Sequence, residues 1–493
     1  MTLANMEFVA DLHLHSKYSR AVSPAMNLSN MALWASKKGL DILSASDWTH
    51  PLWFRQIREE LEEASEGLFR LKTKDLSHKS EVSESILFLL SVEVSSIYTQ
   101  NGKVRRIHNL IWSPSFETCE KISQELRKRG CNLSSDGRPI IGLSSIVLAE
   151  LVFSIDKKAM IIPCHAWTPW FSLYGSNSGF DSIDECFGSY AKYIYAVETG
   201  LSSDPFMNWQ IEELDNRSIL SFSDAHSMAK MGREATVFEL QELTFDNIKK
   251  AIMQPYLTME NRKLKVEAED RELKIDNNID SQPSILKKPS STINHLSSNR
   301  IAYTIEFYPE EGKYHYTGHR NCNFVQDTAQ TKQNGTICPV CKRPLTVGVM
   351  HRVEDLADPN LKFQISNLKL DERGVKWIYD TRGFHPPFIK LVPLNEIIAE
   401  SLFSTVASLK VKNLFDDLCK EFESELNVLL RVSIKDIAGK AGERVAEGIE
   451  KVRKGEIVIL PGFDGQYGIV KIWEDKEINE KHQETVDQLG IDF

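Results

Sequence analysis

The stretch Met6-Glu7-Phe8-Val9-Ala10-Asp11-Leu12-His13-Leu14-His15-Ser16 decides how the rest of the chain is interpreted. Its first five residues form a short, largely apolar run, which predicts a β-strand. Side chains alternate along an extended segment, so His13 and His15 lie on one face. Both imidazoles can then reach one cation at about 2.0–2.1 Å, the usual zinc–nitrogen distance. The stretch therefore predicts a metal site at the end of a strand.

The same pattern recurs through the first half of the chain. Short apolar runs that predict strands are followed by segments of helical character, and the ionisable residues beside them are Asp47 with His50, Glu93, His108, His165, Glu198, and Asp224 with His226. Strands that alternate with helices indicate a parallel α/β arrangement, in which the chemistry gathers at the carboxyl ends of the strands. Two surface histidines would explain His13 and His15 alone, but not a set of this size.

These residues predict a centre for two or three divalent ions. Imidazole and carboxylate ligands together suit Zn²⁺, Mn²⁺ or Fe²⁺, while Mg²⁺ prefers oxygen ligands. The candidate ions are Zn²⁺ and Mn²⁺, with Mg²⁺ as the ion that the carboxylate ligands would favour. Several close ions can clamp a phosphate, generate a hydroxide at neutral pH and stabilise the leaving oxygen. Phosphoester hydrolysis is the predicted reaction class.

Length and composition limit the alternatives. The 493 residues predict two to four domains, and the net charge of −10 excludes a protein that coats nucleic acid by bulk charge. The absence of a long apolar window or signal peptide predicts a cytoplasmic protein without membrane contact. Eight cysteines, three of them close together, favour reduced thiols and metal binding over a disulfide framework.

A second motif indicates a structural zinc site. His319 and Cys322 are followed by Cys338 and Cys341, and two such ligand pairs separated by a loop predict a closed tetrahedral site. His315 is an alternative fourth ligand, and unbound reduced cysteines are the other interpretation. The ion would replace a core that so short a segment cannot build.

Composition also divides the chain. Polar residues with Pro283 and Pro289 mark a linker, and apolar residues at three- and four-residue intervals, Ile397, Ile398, Leu402 and Val406, predict helices beyond it. The predicted segments are a barrel over 1–265, a linker over 266–300, a zinc-binding domain over 301–385, a helical DNA-binding domain over 386–475 and a tail over 476–493. Lys72–Ser85 is expected to be a surface excursion.

Two shorter features belong to the helical domain. Ile434–Ala446 has glycines that loosely match a helix-hairpin-helix, although a plain helical connector explains it equally well. Leu460–Lys471 predicts a β-hairpin.

The loop Thr168–Ser176 is unusually aromatic. Nucleic-acid enzymes test bases by combining aromatic stacking with polar contacts, so this loop is a candidate for base or DNA recognition. Packing of a lid onto the barrel is the alternative. The candidate residues are Trp170, Phe171, Ser172, Tyr174, Gly175 and Ser176.

The motifs of the first 260 residues resemble the polymerase and histidinol phosphatase (PHP) family of metal-dependent phosphoesterases. The resemblance rests on the HxH start, Glu93, His108, His165 and the closing Asp224-Ala225-His226. It implies a distorted (β/α)7 barrel, with Glu93, Asp224 and His226 as catalytic residues. It also implies one metal held by His13, His15, Glu93 and Asp224 with Glu93 bridging, and further ions completed by His50, His108, His165 and His226. Asp47 and Glu198 are weaker candidates. Ala21 stands where many members carry another histidine, so the resemblance leaves two or three ions open.

Further segments resemble the endonuclease Q family. They are Thr168–Phe187, Gly312–Arg320 and Cys338–Arg352. That resemblance implies a PHP-like domain joined to a zinc domain and a helical region. It implies an enzyme that cuts DNA 5′ to deaminated bases (hypoxanthine, uracil, xanthine) and abasic sites.

Three alternatives remain open at this point. Gln488–Phe493 is similar to the short peptide with which bacterial repair proteins bind the sliding clamp, although motifs this short also arise by chance. The barrel alone would permit a PHP phosphatase acting on a small phosphorylated metabolite. Ala21 and the altered Asp47-Trp48-Thr49-His50 motif would permit a non-catalytic DNA-binding repair scaffold.

Overall fold

The structure is a computed structural model that describes residues 5–72, 85–255, 258, 299–358 and 366–474. Nearly all of the predicted excursion and of the predicted linker lies outside these residues, as does the tail with its clamp-type peptide. Helices and a large central sheet make up the fold, so the predicted α/β class is confirmed.

The described residues form strands that we number in chain order. They are β1 (Met6–Asp11), β2 (Ile42–Ala45), β3 (Leu61–Ser65), β4 (Leu68–Leu71), β5 (Leu87–Gln100), β6 (Lys103–Ser113), β7 (Ile140–Ile141), β8 (Met160–Pro163), β9 (Ala196–Glu198), β10 (Ser218–Leu220), β11 (Ala235–Leu240), β12 (Arg300–Glu306), β13 (Thr317–His319), β14 (Phe324–Gln326), β15 (Ser366–Leu370), β16 (Lys376–Asp380), β17 (Phe388–Lys390), β18 (Val458–Leu460) and β19 (Ile469–Lys471).

The central sheet is mixed rather than parallel. Its main path runs β15, β16, β17, β12, β11, β1, β2, β5, β4, β3, with β6 and β7 also beside β5 and with β8 beside β6. Strands β1, β2 and β5 are parallel, as expected, but β6 pairs antiparallel with β5 and β8, and β11 pairs antiparallel with β1. The expectation of a parallel arrangement was therefore wrong for part of the sheet.

A two-residue turn explains the largest antiparallel pair. Asn101 and Gly102 join β5 to β6, and their φ angles are 53° and 73°. Positive φ at both central residues defines the type I′ turn that matches the twist of a hairpin, and Asn-Gly is its preferred sequence. Eleven residue pairs then align from Leu90–Ser113 to Gln100–Lys103.

One apolar core is shared by strands of the central sheet and by the small parallel sheet of β9 and β10. It receives at least one fully or nearly fully buried side chain from each of eight strands: Ala10, Ile42, Leu89, Leu110, Ile162, Ala196, Leu220 and Phe238. Burying a large apolar side chain contributes about 1.5–3 kcal/mol. This core holds in place the strand ends that carry the predicted ligands.

The sheet continues beyond the predicted linker. Strand β12 pairs antiparallel with β11 from Ala235–Ile305 to Glu239–Arg300, and β17 then pairs parallel with β12. Strands from both sides of residues 266–298 therefore belong to one sheet.

The helices cover the sheet and form the C-terminal part. They are α1 (Leu28–Lys38), α2 (Pro51–Glu60), α3 (Phe116–Lys128), α4 (Ser145–Ile155), α5 (Ile183–Phe187), α6 (Pro205–Asn208), α7 (245–255), α8 (Thr328–Asn334), α9 (Val349–Leu356), α10 (Leu394–Ser401), α11 (Leu409–Glu421), α12 (Glu425–Leu430), α13 (Ile434–Ala441) and α14 (Glu443–Lys454). Helix α1 shows the local logic: the Asn27 side chain accepts from Asn30 N, Gly39 ends the helix, and Met31 and Ala35 face the core.

The C-terminal part is helical, as predicted, with one difference. Ile397 and Ile398 are fully buried, but α10 ends at Ser401, so Val406 lies beyond the helix and is 38% exposed. Helices α13 and α14 are joined by Gly442 alone, at φ 88°. Strands β18 and β19 form the predicted hairpin.

Two general expectations can be compared with the described residues. No helix in these ranges has the length and apolar character needed to cross a bilayer. All eight cysteines are described, and each is a free thiol.

Candidate active site

Strands of the core bring most predicted ligands to one place. His13 and His15 follow β1, His165 follows β8, and Asp224 and His226 follow β10, while the remaining ligands lie on strands: Glu93 on β5, His108 on β6 and Glu198 on β9. Residues far apart in the sequence therefore meet because their strands share one core.

Glu93 lies at the centre of this cluster and is 1% exposed. Its Oε1 is 3.1 Å from Nε2 of His165 and also contacts Nδ1 of His108. Its Oε2 is 3.2 Å from Nε2 of His15 and 3.1 Å from Nη1 of Arg138. The two oxygens of one carboxylate thus face different imidazoles, which is the geometry that a bridging metal ligand needs.

Unpaired buried atoms converge beside Glu93. Asp224 Oδ1 is 3.1 Å from His15 Nε2 and 3.6 Å from His13 Nε2, but none of these three atoms makes a well-aligned hydrogen bond within the described residues. A buried polar atom left unpaired costs about 1–3 kcal/mol. Ligand atoms of His13, His15 and Glu93 lie within 4.8 Å of one another, as do those of His15, Asp224 and His226. These donors fit divalent cations.

Two buried carboxylates orient the first two histidines. His13 Nδ1 is 2.8 Å from Glu198 Oε1, and His15 Nδ1 is 3.2 Å from Asp47 Oδ1. A carboxylate that accepts from Nδ1 presents Nε2 to a metal. Glu198 Oε2 also accepts from the backbone N–H of His165 at 2.8 Å, so one side chain positions two ligands.

Three site residues adopt a backbone conformation that side chains rarely take. The φ angles of Asp47, His165 and Asp224 are 60°, 32° and 47°. Such conformations cost about 1–3 kcal/mol each and persist where the surroundings enforce them. Here they aim side chains into the cluster within two to four residues of a strand end.

Charge within the cluster is balanced between histidines and carboxylates. Burial alone would lower the pKa of His13, but Glu198 and Asp224 hold it well above its usual value. Burial would raise the pKa of Asp224, yet His13 and His15 hold it below its usual range. A cation that binds here must displace protons from the imidazoles, so metal affinity depends on pH.

His50 lies apart from the other predicted ligands. It directly precedes α2, and its ring packs on Tyr18 with centroids 4.5 Å apart. It belongs to none of the ligand clusters found in the described ranges. Asp47, the weaker candidate of the same motif, is the residue that contacts His15.

Three residues of the site were missed by sequence reasoning. Arg138 binds Glu93, and Cys164 Sγ lies 3.8 Å from Glu93 Oε1. Asp11 accepts from Gly232 N at 2.8 Å and from both N and Oγ of Ser223, and burial raises its pKa to about 6. Cys164 adjoins His165 and could have been noticed, whereas no local pattern marks Arg138.

A cavity of about 590 Å³ opens beside the cluster. His165 and Asp224 form part of its wall, and the other lining residues are Arg106, Thr168, Trp170, Phe171, Gly200, Leu201, Ser202, Gly312, Lys313, Tyr314 and Tyr467. Two positively charged side chains lie against its aromatic rings: Arg106 lies 5.5 Å from the centre of the Phe171 ring, and Lys313 lies 4.5 Å from the centre of the Tyr467 ring.

Only part of the predicted recognition loop lines this cavity. Trp170 and Phe171 do, but Tyr174 is buried, with its ring on Trp167 and its hydroxyl 2.7 Å from Glu213.

The remaining loop residues hold the loop's shape. Ser172 Oγ donates to Thr168 O, and a Cβ at Gly175 would come within 2.5 Å of the same oxygen. Ser176 Oγ donates to Val347 O at 3.4 Å.

The second predicted metal site is also assembled. Ligand atoms of His319, Cys322, Cys338 and Cys341 all lie within 4.8 Å of one another. Burial raises the pKa of Cys338, but backbone N–H groups of the Cys338–Cys341 turn lower it to about 6, which favours the thiolate. The alternative ligand His315 is buried beside Tyr316 instead, outside this group.

Two solved structures are similar to this chain over nearly its whole length. The lesion-specific endonuclease PfuEndoQ from Pyrococcus furiosus matches with a TM-score of 0.71 and 27% identity, covering 96% of this chain and 99% of that one. The resemblance to endonuclease Q is confirmed. A complex of endonuclease Q with a 27-mer duplex carrying an abasic lesion at the active site also matches, with a TM-score of 0.71 and 28% identity over 95% and 98% of the two chains.

Sequence comparisons find one relative over nearly the whole chain and two shorter matches. Residues 393–456 match the family model described as the MJ0043 C-terminal domain. The Bacillus subtilis protein YqxK is 26% identical over 94% of this chain and 98% of its own length. The Methanocaldococcus jannaschii protein MJ0043 is 28% identical over 66% of this chain, and that match spans only a third of its length.

Proposed function

We propose that this chain is a metal-dependent endonuclease that hydrolyses the phosphodiester 5′ to deaminated bases (hypoxanthine, uracil, xanthine) and abasic sites. The observation that supports this most is the junction of the ligand cluster with the aromatic cavity, since His165 and Asp224 belong to both. Such an enzyme would act in the cytoplasm at the nucleoid.

Two or three divalent ions, Zn²⁺, Mn²⁺ or Mg²⁺, are proposed for the cluster. His13, His15, Glu93 and Asp224 would hold one, and His108, His165 and His226 would complete the others with Glu93 bridging. Such ions supply Lewis acidity, which activates water as the nucleophile and neutralises charge on the phosphate oxygens. Glu198 and Asp47 would act through the histidines that they orient.

The protein's own groups would position the phosphate for attack. Arg138, 3.1 Å from Glu93 and a quarter exposed, places a fixed positive charge beside the cluster. His226 is a third exposed, and its Nδ1 donates to the carbonyl of Asp224 at 2.9 Å. That bond leaves Nε2 as the nitrogen that can act on a ligand or the substrate.

The cavity would test the base next to the cut. Its volume of about 590 Å³ falls within the range of small-ligand sites, and Trp170, Phe171 and Tyr314 offer ring faces or edges to a base rotated out of the duplex. Arg106 and Lys313 would contact neighbouring phosphates. A cavity of this size would also accept an abasic sugar, in which case no base would stack on the aromatic rings.

Three finer features of the sequence analysis also remain proposals. We propose that strands around the shared core form the distorted (β/α)7 PHP barrel, that one zinc ion binds His319, Cys322, Cys338 and Cys341, and that α13 and α14 contact DNA. Binding of the sliding clamp by Gln488–Phe493 is a separate proposal.

A nicking assay with matched duplexes tests the function. Oligonucleotides bearing deoxyinosine, uracil, an abasic site or no lesion are incubated with Mg²⁺, Mn²⁺ or Zn²⁺. We expect nicking of the damaged strands only, and we expect Asp224→Asn to abolish it while DNA binding persists. Retained nicking by Asp224→Asn would contradict the assignment of the site. Release of phosphate from small phosphomonoesters without nicking would indicate the phosphatase, and DNA binding without any hydrolysis would indicate the scaffold.

A further inference from the structure

A second cavity, of about 400 Å³, lies between α2 and α3. It begins at Trp48 and Thr49, directly after Asp47, whose carboxylate contacts His15. The cavity is therefore linked to the ligand cluster through Asp47, and it shares no lining residue with the aromatic cavity.

Three lining residues carry buried polar atoms with nothing in the described part of the chain to pair with. They are Trp48 Nε1, Thr49 Oγ1 and Ser123 Oγ, on side chains that are 0%, 1% and 4% exposed. An indole N–H only donates, and a hydroxyl can donate. Buried donors without acceptors are costly, so these atoms indicate a ligand that accepts hydrogen bonds.

Three arginines line the same cavity. Arg55, Arg58 and Arg127 line the cavity and are solvent-exposed, against two exposed acids, Glu59 and Glu120. Arg58 Nη1 is 3.6 Å from Glu120 Oε2, which occupies one guanidinium and leaves an excess of positive charge. Guanidinium groups pair with phosphate through two parallel hydrogen bonds. Buried donors and exposed arginines in the lining of one cavity together fit a phosphate oxyanion.

We propose that this cavity binds a phosphodiester of the substrate DNA outside the cleaved position. The inference rests on the proposed function, because it takes the strand to be DNA lying across the ligand cluster. Phosphates follow one another at about 3.4 Å of helix axis along a strand, so a strand cut at the cluster must carry others past the adjoining surface. Contacts of this kind set the register of a duplex without reading its sequence.

The first test measures how salt affects DNA binding. Arg55→Gln with Arg127→Gln is made in the Asp224→Asn protein, which should bind without cutting, and Lys121→Gln with Lys128→Gln on α3 is the control of equal charge. The two control lysines do not line the cavity. For an abasic duplex and its undamaged counterpart, we expect the arginine variant to reduce the slope of log affinity against log salt by about 1 and to weaken both duplexes alike. The control should keep the parent slope. Equal slopes for all three proteins, or an equal reduction in the control, would overturn the proposal.

A second variant keeps the charge and removes the hydroxyls. Thr49→Val with Ser123→Ala should weaken DNA binding at every salt concentration. It should leave the salt slope unchanged, because no positive charge that pairs with a phosphate is removed. Unchanged affinity in both this variant and the arginine variant overturns the proposal.

The third measurement separates DNA from a free anion. Melting temperature is measured with inorganic phosphate and with a deoxynucleoside monophosphate. A shift that the arginine variant loses, together with unaltered DNA binding, would assign the cavity to a free phosphorylated ligand and overturn the DNA assignment. If the unmutated protein fails to nick damaged DNA but the arginine variant still lowers the salt slope, the proposed cleavage fails while the phosphate contact between this cavity and DNA stands.

Discussion

Replacing Glu198 by Gln should weaken metal binding without changing the size of the side chain. The carboxylate is fully buried and accepts twice, from Nδ1 of His13 at 2.8 Å and from the backbone N–H of His165 at 2.8 Å. A glutamine offers one acceptor and one donor in the same place. Since the backbone N–H of His165 cannot change, the glutamine oxygen must face it and the amide N–H must face His13.

His13 then has to accept at Nδ1 and carry its proton at Nε2. That nitrogen lies 3.6 Å from Asp224 Oδ1 and 3.8 Å from Glu93 Oε2, at the point where a cation would bind. If His13 instead keeps its proton at Nδ1, the buried amide N–H of the glutamine has no acceptor, at a cost of about 1–3 kcal/mol. Because about 1.4 kcal/mol corresponds to a tenfold change in affinity, we expect metal binding to weaken roughly 10- to 100-fold, the range found for other residues that orient metal ligands.

Calorimetric titration of the metal-free protein with Mn²⁺ or Zn²⁺ measures this change. Nicking by Glu198→Gln should reappear at higher metal concentration, since the chemistry of the bound site is intact. Glu242→Gln makes the same chemical change at an exposed position and should bind metal like the parent. Unaltered metal affinity in Glu198→Gln would refute the reasoning.

Three further predictions concern other parts of the molecule. Cys338→Ser should remove one zinc per chain and lower the melting temperature, because zinc binding contributes roughly 10 kcal/mol in isolated modules; metal analysis showing no loss of zinc would contradict it. Burial raises the pKa of Glu306 to about 7, so the folded protein keeps a proton there that the unfolded chain releases above about pH 4.5. The free energy of unfolding should thus fall between pH 5 and pH 8. In urea titrations, Glu306→Gln should reduce this fall by up to about 3 kcal/mol. The same fall in the variant and the unmutated protein would show that the pKa of Glu306 is ordinary. Trp170→Ala should slow nicking beside hypoxanthine, because the base loses stacking worth about 1–3 kcal/mol, while the nicking rate of the abasic duplex stays the same. Equal reductions of the nicking rate on both duplexes would argue against a base contact.

The ligand cluster was accessible from sequence because a buried strand fixes the position of the residues next to it. Each ligand beside a buried apolar run had its position set by that run, and His13, Glu93 and Asp224 meet for this reason. His50 could not be placed in the same way, because its direction depends on where α2 starts and how Tyr18 packs on it.

Long-range contacts account for most of the features that the sequence could not provide. The sequence predicts Tyr174 as a recognition residue, but its ring packs on Trp167 and its hydroxyl donates to Glu213. Tyr314 and Tyr467 complete the cavity from segments more than 140 residues beyond Trp170, and no periodicity connects them. The Asn101-Gly102 turn is different: its signal was present in the sequence, and it contradicts a purely parallel sheet.

The pairing of β12 with β11 limits how the protein can be divided. A fragment that stops at residue 265 would keep the ligand cluster around Glu93 but would uncover the hydrogen-bonding side of β11, whose buried residues include Val237 and Phe238. An apolar strand with free N–H and C=O groups is a template for pairing with other copies. Such a fragment should aggregate, because β12, which lies after the predicted linker, covers the edge of β11 in the full chain.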